Sequence, residues 1–200
     1  MAHRSFRFGV VVAQARSGEE WAEKARRIEA LAIVKGLLAG ERVGATGAHY
    51  AVADAQISPG PVQRPRPPIM VAGSGKRLLA LAAREADIVA LGIGPDETEE
   101  SAAEKIGWLR EAAGERFGQL EINVNLVAVG RQVVRYVAAQ LGADAAALAR
   151  SGAVVALAGT TDEMCERLVA RREALGISYV MVSEELMDGF APVVERLAGR

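Results

Sequence analysis

The chain has 200 residues, half of them hydrophobic, with 24 Lys and Arg against 25 Asp and Glu and a formal net charge of -1. Such a chain buries a sizeable core, which excludes disorder as its main state, and its balanced charge argues against electrostatic nucleic-acid binding. One cysteine, Cys165, has no partner for an internal disulfide, and two histidines, His3 and His49, leave no cluster with metal-ligand spacing. The basic start from Met1 to Phe8 lacks the apolar stretch of a signal peptide, and no apolar run is long enough to span a membrane. The expectation is one soluble, cytoplasmic domain over 1–200 that acts on a small molecule, with neither nucleic acid nor membrane as partner.

In chain order, Phe6 to Ala13 is apolar and β-branched and predicts a buried strand. Ser17-Gly18-Glu19-Glu20 forms a capping box, followed by Trp21, Ala25, Ile28 and Ala32 at helical spacing. Past Ala30 the apolar residues occupy more than one face, which predicts a bend or a join of two helices, ending at Gly40. Residues 41–68 are an irregular Gly/Pro-rich insertion in which short extended pieces such as His49 to Val52 predict a hairpin. Ile69 to Ala72 predicts a buried strand, Leu78 to Ala82 a helix, and Asp87 to Leu91 a second strand, the size of a parallel β/α unit. Asp96 with Glu99 predicts the cap of a helix carrying Ala102, Ile106, Leu109 and Ala113 on one face. Leu120 to Val129 predicts a strand, then helices around Val133 to Leu141 and Thr161 to Leu175, the latter opened by Thr160-x-x-Glu163. A last strand over Ser178 to Val182 and a helix over Glu185 to Ala198 complete a repeated strand-then-helix order. That order predicts an α/β fold, with mostly parallel strands and helices outside.

The best candidate for chemistry is Ala72-Gly73-Ser74-Gly75-Lys76-Arg77, between a buried strand and a helix start. Glycines let backbone approach a ligand, and the free amides and dipole of the first helical turn attract anions. Ser74 adds a hydroxyl, and Lys76 and Arg77 add charge; the competing reading is a tight turn that needs glycine for its conformation alone. A dinucleotide-binding fingerprint would need a third glycine where Leu78 stands. Glu121, Asn123 and Asn125 share the polar face of their strand, either inside a barrel or in solvent. His49 reads as a surface-loop residue and Cys165 as a buried or half-buried structural thiol. Glu163, Glu166, Arg167, Arg171 and Arg172 read as a solvated helix face. Ser183, Glu184, Glu185 and Asp188 fit a site mouth or helix capping equally.

Four segments, Leu31 to Gly40, Gly47 to Tyr50, Pro61 to Ile69 and Val71 to Gly75, resemble in order and spacing the luciferase-like monooxygenase family, most of all its deazaflavin (F420)-dependent oxidoreductase branch. The opening strand and Ala174 to Tyr179 resemble it as well. The resemblance implies a TIM-type barrel that binds F420, or alternatively FMN, at the C-terminal ends of its strands. It places the cofactor phosphate at Gly73, Ser74 and Gly75, with Lys76 and Arg77 in support. It implies hydride transfer to or from an organic substrate or flavin-dependent oxygenation, with a non-catalytic FMN/F420-binding protein as the alternative. No catalytic residue is assigned. A complete (β/α)₈ barrel takes about 250 residues. Here the first helix runs straight into a pattern that looks like a later one, so strands two to four look absent and the barrel incomplete. The edges this would expose predict a homodimer.

Overall fold

The computed structural model describes residues 8–11, 30–142 and 144–199, with only the backbone described at 8–11 and 141. The capping box at 17–20 and the helix expected from Trp21 lie outside the described residues. The chain divides into two compact units, 1–70 and 71–200.

In the first unit, β1 (Phe8–Val11) falls within the expected apolar run. Helix α1 is described over residues 30–38. Gly40, at φ 81°, ends it as expected. The Gly40 amide donates to Leu37 and that of Glu41 to Gly36, the pair of bonds that closes a helix through a left-handed residue. The insertion contains the expected hairpin, of β2 (Val43–Thr46) and β3 (Ala51–Ala55). His49 and Tyr50 sit in its turn, where the Gly47 amide donates to the Tyr50 carbonyl at 2.8 Å. Val43 pairs with Ala55 but Ala45 with Val52, so β3 carries one extra residue. Asp54, at φ 54°, lies in that bulge and pairs with Arg42 at 2.5 Å. Further on, the Arg64 guanidinium donates to the Pro61 carbonyl at 2.6 Å and that of Arg66 to Pro67 at 3.0 Å. Proline has no amide to donate, and these side chains serve carbonyls that no strand partner reaches.

The second unit begins within β4 (Ile69–Gly73), and β4, β5 (Ile88–Leu91), β6 (Glu121–Leu126) and β10 (Ile177–Val182) are neighbours in that order. β5 and β6 pair in parallel, as do β6 and β10, so the expected parallel sheet is present. Helices α2 (Lys76–Glu85), α3 (Glu99–Ala113), α6 (Thr161–Leu175) and α7 (Met187–Leu197) alternate with the strands. α2 buries Leu78, Leu79, Leu81, Ala82 and Ala83, and its C-terminal carbonyls at Ala83 and Ala86 accept from the Arg116 guanidinium.

Two expectations for this unit need correction. The strand expected through Val129 ends at Leu126. Past it, the Val127 and Ala128 amides donate to the Val155 carbonyl. A small separate sheet forms there, β8 (Gln132–Val133), β7 (Ala128–Val129) and β9 (Ala156–Leu157) in order. Helix α3 is not capped by Asp96; its N-cap is Thr98, with Glu99 and Glu100 in the first turn. Between these elements lie α4 (Arg135–Leu141) and α5 (Ala145–Arg150), the latter capped by Asp144, which accepts from the Ala147 amide at 2.6 Å.

The polar face of β6 is not uniform. Ile122 and Val124 pair with Ile177 and Val180, and Val180 packs among Leu168 and Val169 of α6 and Phe190 and Val193 of α7. That face is under helices, so Glu121, Asn123 and Asn125 lie on the other. Asn125 is exposed there, whereas Asn123 is fully buried. The Asn123 Nδ2 donates to the Tyr179 carbonyl at 3.1 Å, which fixes the amide and leaves Oδ1 without a hydrogen bond.

Candidate cofactor-binding site

Strand β4 buries Ile69 and Val71 and ends at Gly73, where the chain turns through Ser74 and Gly75 into α2. All five candidate residues, Gly73, Ser74, Gly75, Lys76 and Arg77, therefore stand between a strand's C-terminal end and a helix N-terminus, the geometry on which ligand sites in parallel α/β folds are built.

The two glycines have different physical causes. A Cβ at Gly73 would lie 2.3 Å from Cδ2 and 2.6 Å from Cγ of Leu78, so this glycine makes room for the first apolar side chain of α2. A Cβ at Gly75 would meet nothing within 4 Å. Gly75 is the N-cap of α2, in extended backbone at φ -83° and ψ 145°, which any residue adopts. Neither packing nor conformation therefore demands glycine at position 75. Its carbonyl accepts from the Leu78 and Leu79 amides at 2.9 and 3.0 Å, so the Gly75 and Lys76 amides stand ahead of the first donor of the helix.

The start of α2 is electropositive. It has no side-chain cap and no acidic residue in its first turn, while Lys76 and Arg77 are exposed there. The Lys76 ammonium stands 3.4 Å from Glu111 of α3, with both side chains mostly exposed, a pair of little energetic worth.

Behind the turn lies a network that the sequence reading missed. The Gly92 amide, just past β5, donates to the Gly73 carbonyl at 2.8 Å. A Cβ at Gly92 would lie 3.0 Å from the Gly73 carbonyl carbon and 3.2 Å from the Ser74 nitrogen, so the two backbones are in direct contact. The Gly92 carbonyl in turn accepts from the Lys105 Nζ at 2.8 Å. Lys105, on α3, is only 7% exposed and also pairs with Glu97. Glu97 accepts from the Ser101 hydroxyl at 2.7 Å and the Gly94 amide at 3.1 Å. Burial alone would raise the Glu97 carboxyl's pKa, but the bonds from Lys105, Ser101 and Gly94 outweigh it and hold it below the ordinary 4.5. One signal was available: Lys105 stands three residues after Ala102 and four before Leu109, on the face that α3 buries.

The remaining candidates lie elsewhere. His49 is exposed in the hairpin turn, and Cys165 is half-buried on α6, as expected. Glu185 accepts from the Arg135 amide at 3.1 Å at the start of α4, which is a capping role. Arg171 corrects the expected solvated face of α6. It is 3% exposed, and its guanidinium donates to Glu99 and Val154 at 2.8 Å and to Ala153 and Ala156 at 3.4 Å. Burial lowers its pKa, and Glu99 opposes that shift. Among the described residues, no group of three or more His, Cys, Asp or Glu is arranged to hold a metal ion, and no helix is long and apolar enough to cross a membrane.

Known proteins share this architecture. Monooxygenase RslO1 from Streptomyces bottropensis is 21% identical, with a TM-score of 0.63 over 94% of this chain and 67% of its own. An F420-dependent secondary alcohol dehydrogenase, solved with an F420-acetone adduct, is 13% identical, with a TM-score of 0.63 over 92% of this chain and 69% of its own. Riboflavin lyase RcaE, solved with modified FMN and riboflavin, is 12% identical, with a TM-score of 0.59 over 89% and 57%. At these identities the likeness establishes the fold, and this chain corresponds to part of their TIM-type barrel. The family model for luciferase-like monooxygenases matches residues 8–133, and the chain belongs to that family.

Proposed function

We propose that the turn Gly73-Ser74-Gly75 and the head of α2 hold the phosphate of F420, with FMN as the alternative cofactor. In this reading the chain serves hydride transfer to or from a small organic substrate. The observation that carries it is the start of α2: uncapped, free of acidic residues, flanked by Lys76 and Arg77, and open where a Gly75 side chain would be. A phosphate fits such a place, because the first-turn amides need an acceptor and the helix dipole favours negative charge.

A bound deazaflavin or flavin supplies the hydride chemistry at its ring. The chain supplies binding and orientation. The Gly75 and Lys76 amides would donate to phosphate oxygens, Ser74 would add its hydroxyl, and Lys76 and Arg77 would add positive charge. The printed names of the structural neighbours support both cofactors, one carrying F420 and another a modified FMN. A second reading, cofactor binding without turnover, is favoured by the chain's span of 57% to 69% of those neighbours.

The test is a thermal-shift titration with F420, FMN and NADPH side by side, followed by turnover assays with the ligand that stabilises. The reading expects saturable stabilisation by F420 or FMN and none by NADPH. Stabilisation by neither F420 nor FMN at micromolar concentration contradicts it. Binding without turnover across several reductant and acceptor pairs selects the second reading.

A further inference from the structure

We infer that Lys105 is a positioning residue for the phosphate turn: through Gly92 it sets where the Gly73–Ser74 peptide stands, and so how well the chain discriminates phosphorylated from unphosphorylated flavins. The inference rests on the cofactor reading above and concerns a residue that does not itself reach the ligand.

A continuous series of contacts carries it. The Lys105 Nζ donates to the Gly92 carbonyl at 2.8 Å, and the Gly92 amide donates to the Gly73 carbonyl at 2.8 Å. Gly92 also abuts the Gly73 carbonyl carbon and the Ser74 nitrogen so closely that a methyl group would not fit without movement. Gly92 thus backs the turn, and Lys105 clamps both ends of the segment that Gly92 begins, at Gly92 and at Glu97. Glu97 secures the middle by accepting from the Gly94 amide at 3.1 Å. A lysine on the buried face of α3 is expensive to keep there unless its bonds are made. A methionine of similar length would fill the same space without that demand. The bonds to Gly92 and Glu97 are what the lysine adds. Amide donors hold an anion well only when their positions are fixed in advance.

The experiment compares FMN with riboflavin, and F420 with its phosphate-free deazaflavin chromophore, by fluorescence titration of wild type, Lys105→Met and Gly92→Ala. Gly92→Ala pushes on the turn directly and leaves the Lys105–Glu97 pair in place, so it tests the Gly92 link alone; if Lys105→Met does not fold, an unchanged preference in Gly92→Ala still overturns the inference. The inference expects each folded variant to lose affinity for the phosphorylated ligand by about tenfold, with the unphosphorylated ligand within about twofold of wild type. An unchanged preference for the phosphorylated ligand in the folded variants overturns it. So does an equal loss for both ligands, which is general damage. If wild type shows no preference for the phosphorylated form, the phosphate reading itself fails. A preference present in wild type and untouched in the variants removes only the role of Lys105.

Discussion

Two helix N-termini in the second unit solve the same problem in opposite ways. α6 satisfies its own first turn. The Thr160 hydroxyl accepts from the Glu163 amide at 3.3 Å, the Glu163 carboxylate accepts from the Thr160 amide at 2.7 Å, and Asp162 and Glu163 complement the dipole. α2 does none of this: its cap is Gly75, which makes no side-chain cap bond, and its first turn is basic. Each helix leads into a strand of the main sheet, α2 into β5 and α6 into β10, so the contrast lies in the local sequence at each start. A chain that can write a complete capping box at Thr160 has left one out at Gly75, where geometry would accept a serine or aspartate. On the proposed reading, this breach of a local rule is stability given up for binding.

The comparison breaks most sharply at Gly75. Gly75→Asp gives α2 the cap it lacks, with no steric obstacle, and is expected to raise stability by a few tenths of a kcal/mol, by roughly the margin between a glycine and an aspartate cap. The same change puts a negative charge at the proposed phosphate position and is expected to weaken FMN or F420 binding by roughly 100-fold. Paired melting and titration curves check it, and parallel losses of stability and affinity would refute the contrast. Gly73→Ala is different in kind. The new methyl collides with Leu78, and a loss of about 1–3 kcal/mol is expected from overpacking, read by chemical denaturation. At α6, Thr160→Ala is expected to cost about 1 kcal/mol and to leave cofactor affinity unchanged.

The smallest effect is a pH dependence. The backbone and side-chain bonds from Thr160 hold the Glu163 carboxyl below its ordinary 4.5. A carboxylate favoured in the folded state contributes stability that is fully present above its unfolded value. That contribution is lost as the pH falls through the lower folded value. Glu163→Gln is therefore expected to lower the melting temperature slightly at neutral pH and to flatten its fall below about pH 4.5, so that variant and wild type converge in acid.

Much of this was legible because it follows from local chemistry. Alternation from Leu120 gives β6, helical spacing gives α2 and α3, and Thr160-x-x-Glu163 gives the start of α6 to the residue. The turn at Gly73 to Gly75 was found for the same reason, a glycine pair between a buried strand and an apolar helix. What local pattern does not encode is the partner. Val127 leaves the main sheet because Val155 supplies its carbonyl, and Val155 is distant in sequence. Lys105 and Arg171 look like surface charges until Gly92, Glu97, Val154 and Glu99 come round to meet them. The two glycines of the turn read alike in sequence; only the position of Leu78 separates the one required by packing from the one left open.

The central claim is that the head of α2 receives an anion. It is tested most directly by backbone amide NMR during titration with FMN and, separately, with riboflavin. The account predicts that the amides of Ser74, Gly75, Lys76 and Arg77 shift with FMN and hardly with riboflavin, while those of Asp162 and Glu163 stay in place. Saturable FMN binding that leaves Gly75 and Lys76 unmoved would contradict it.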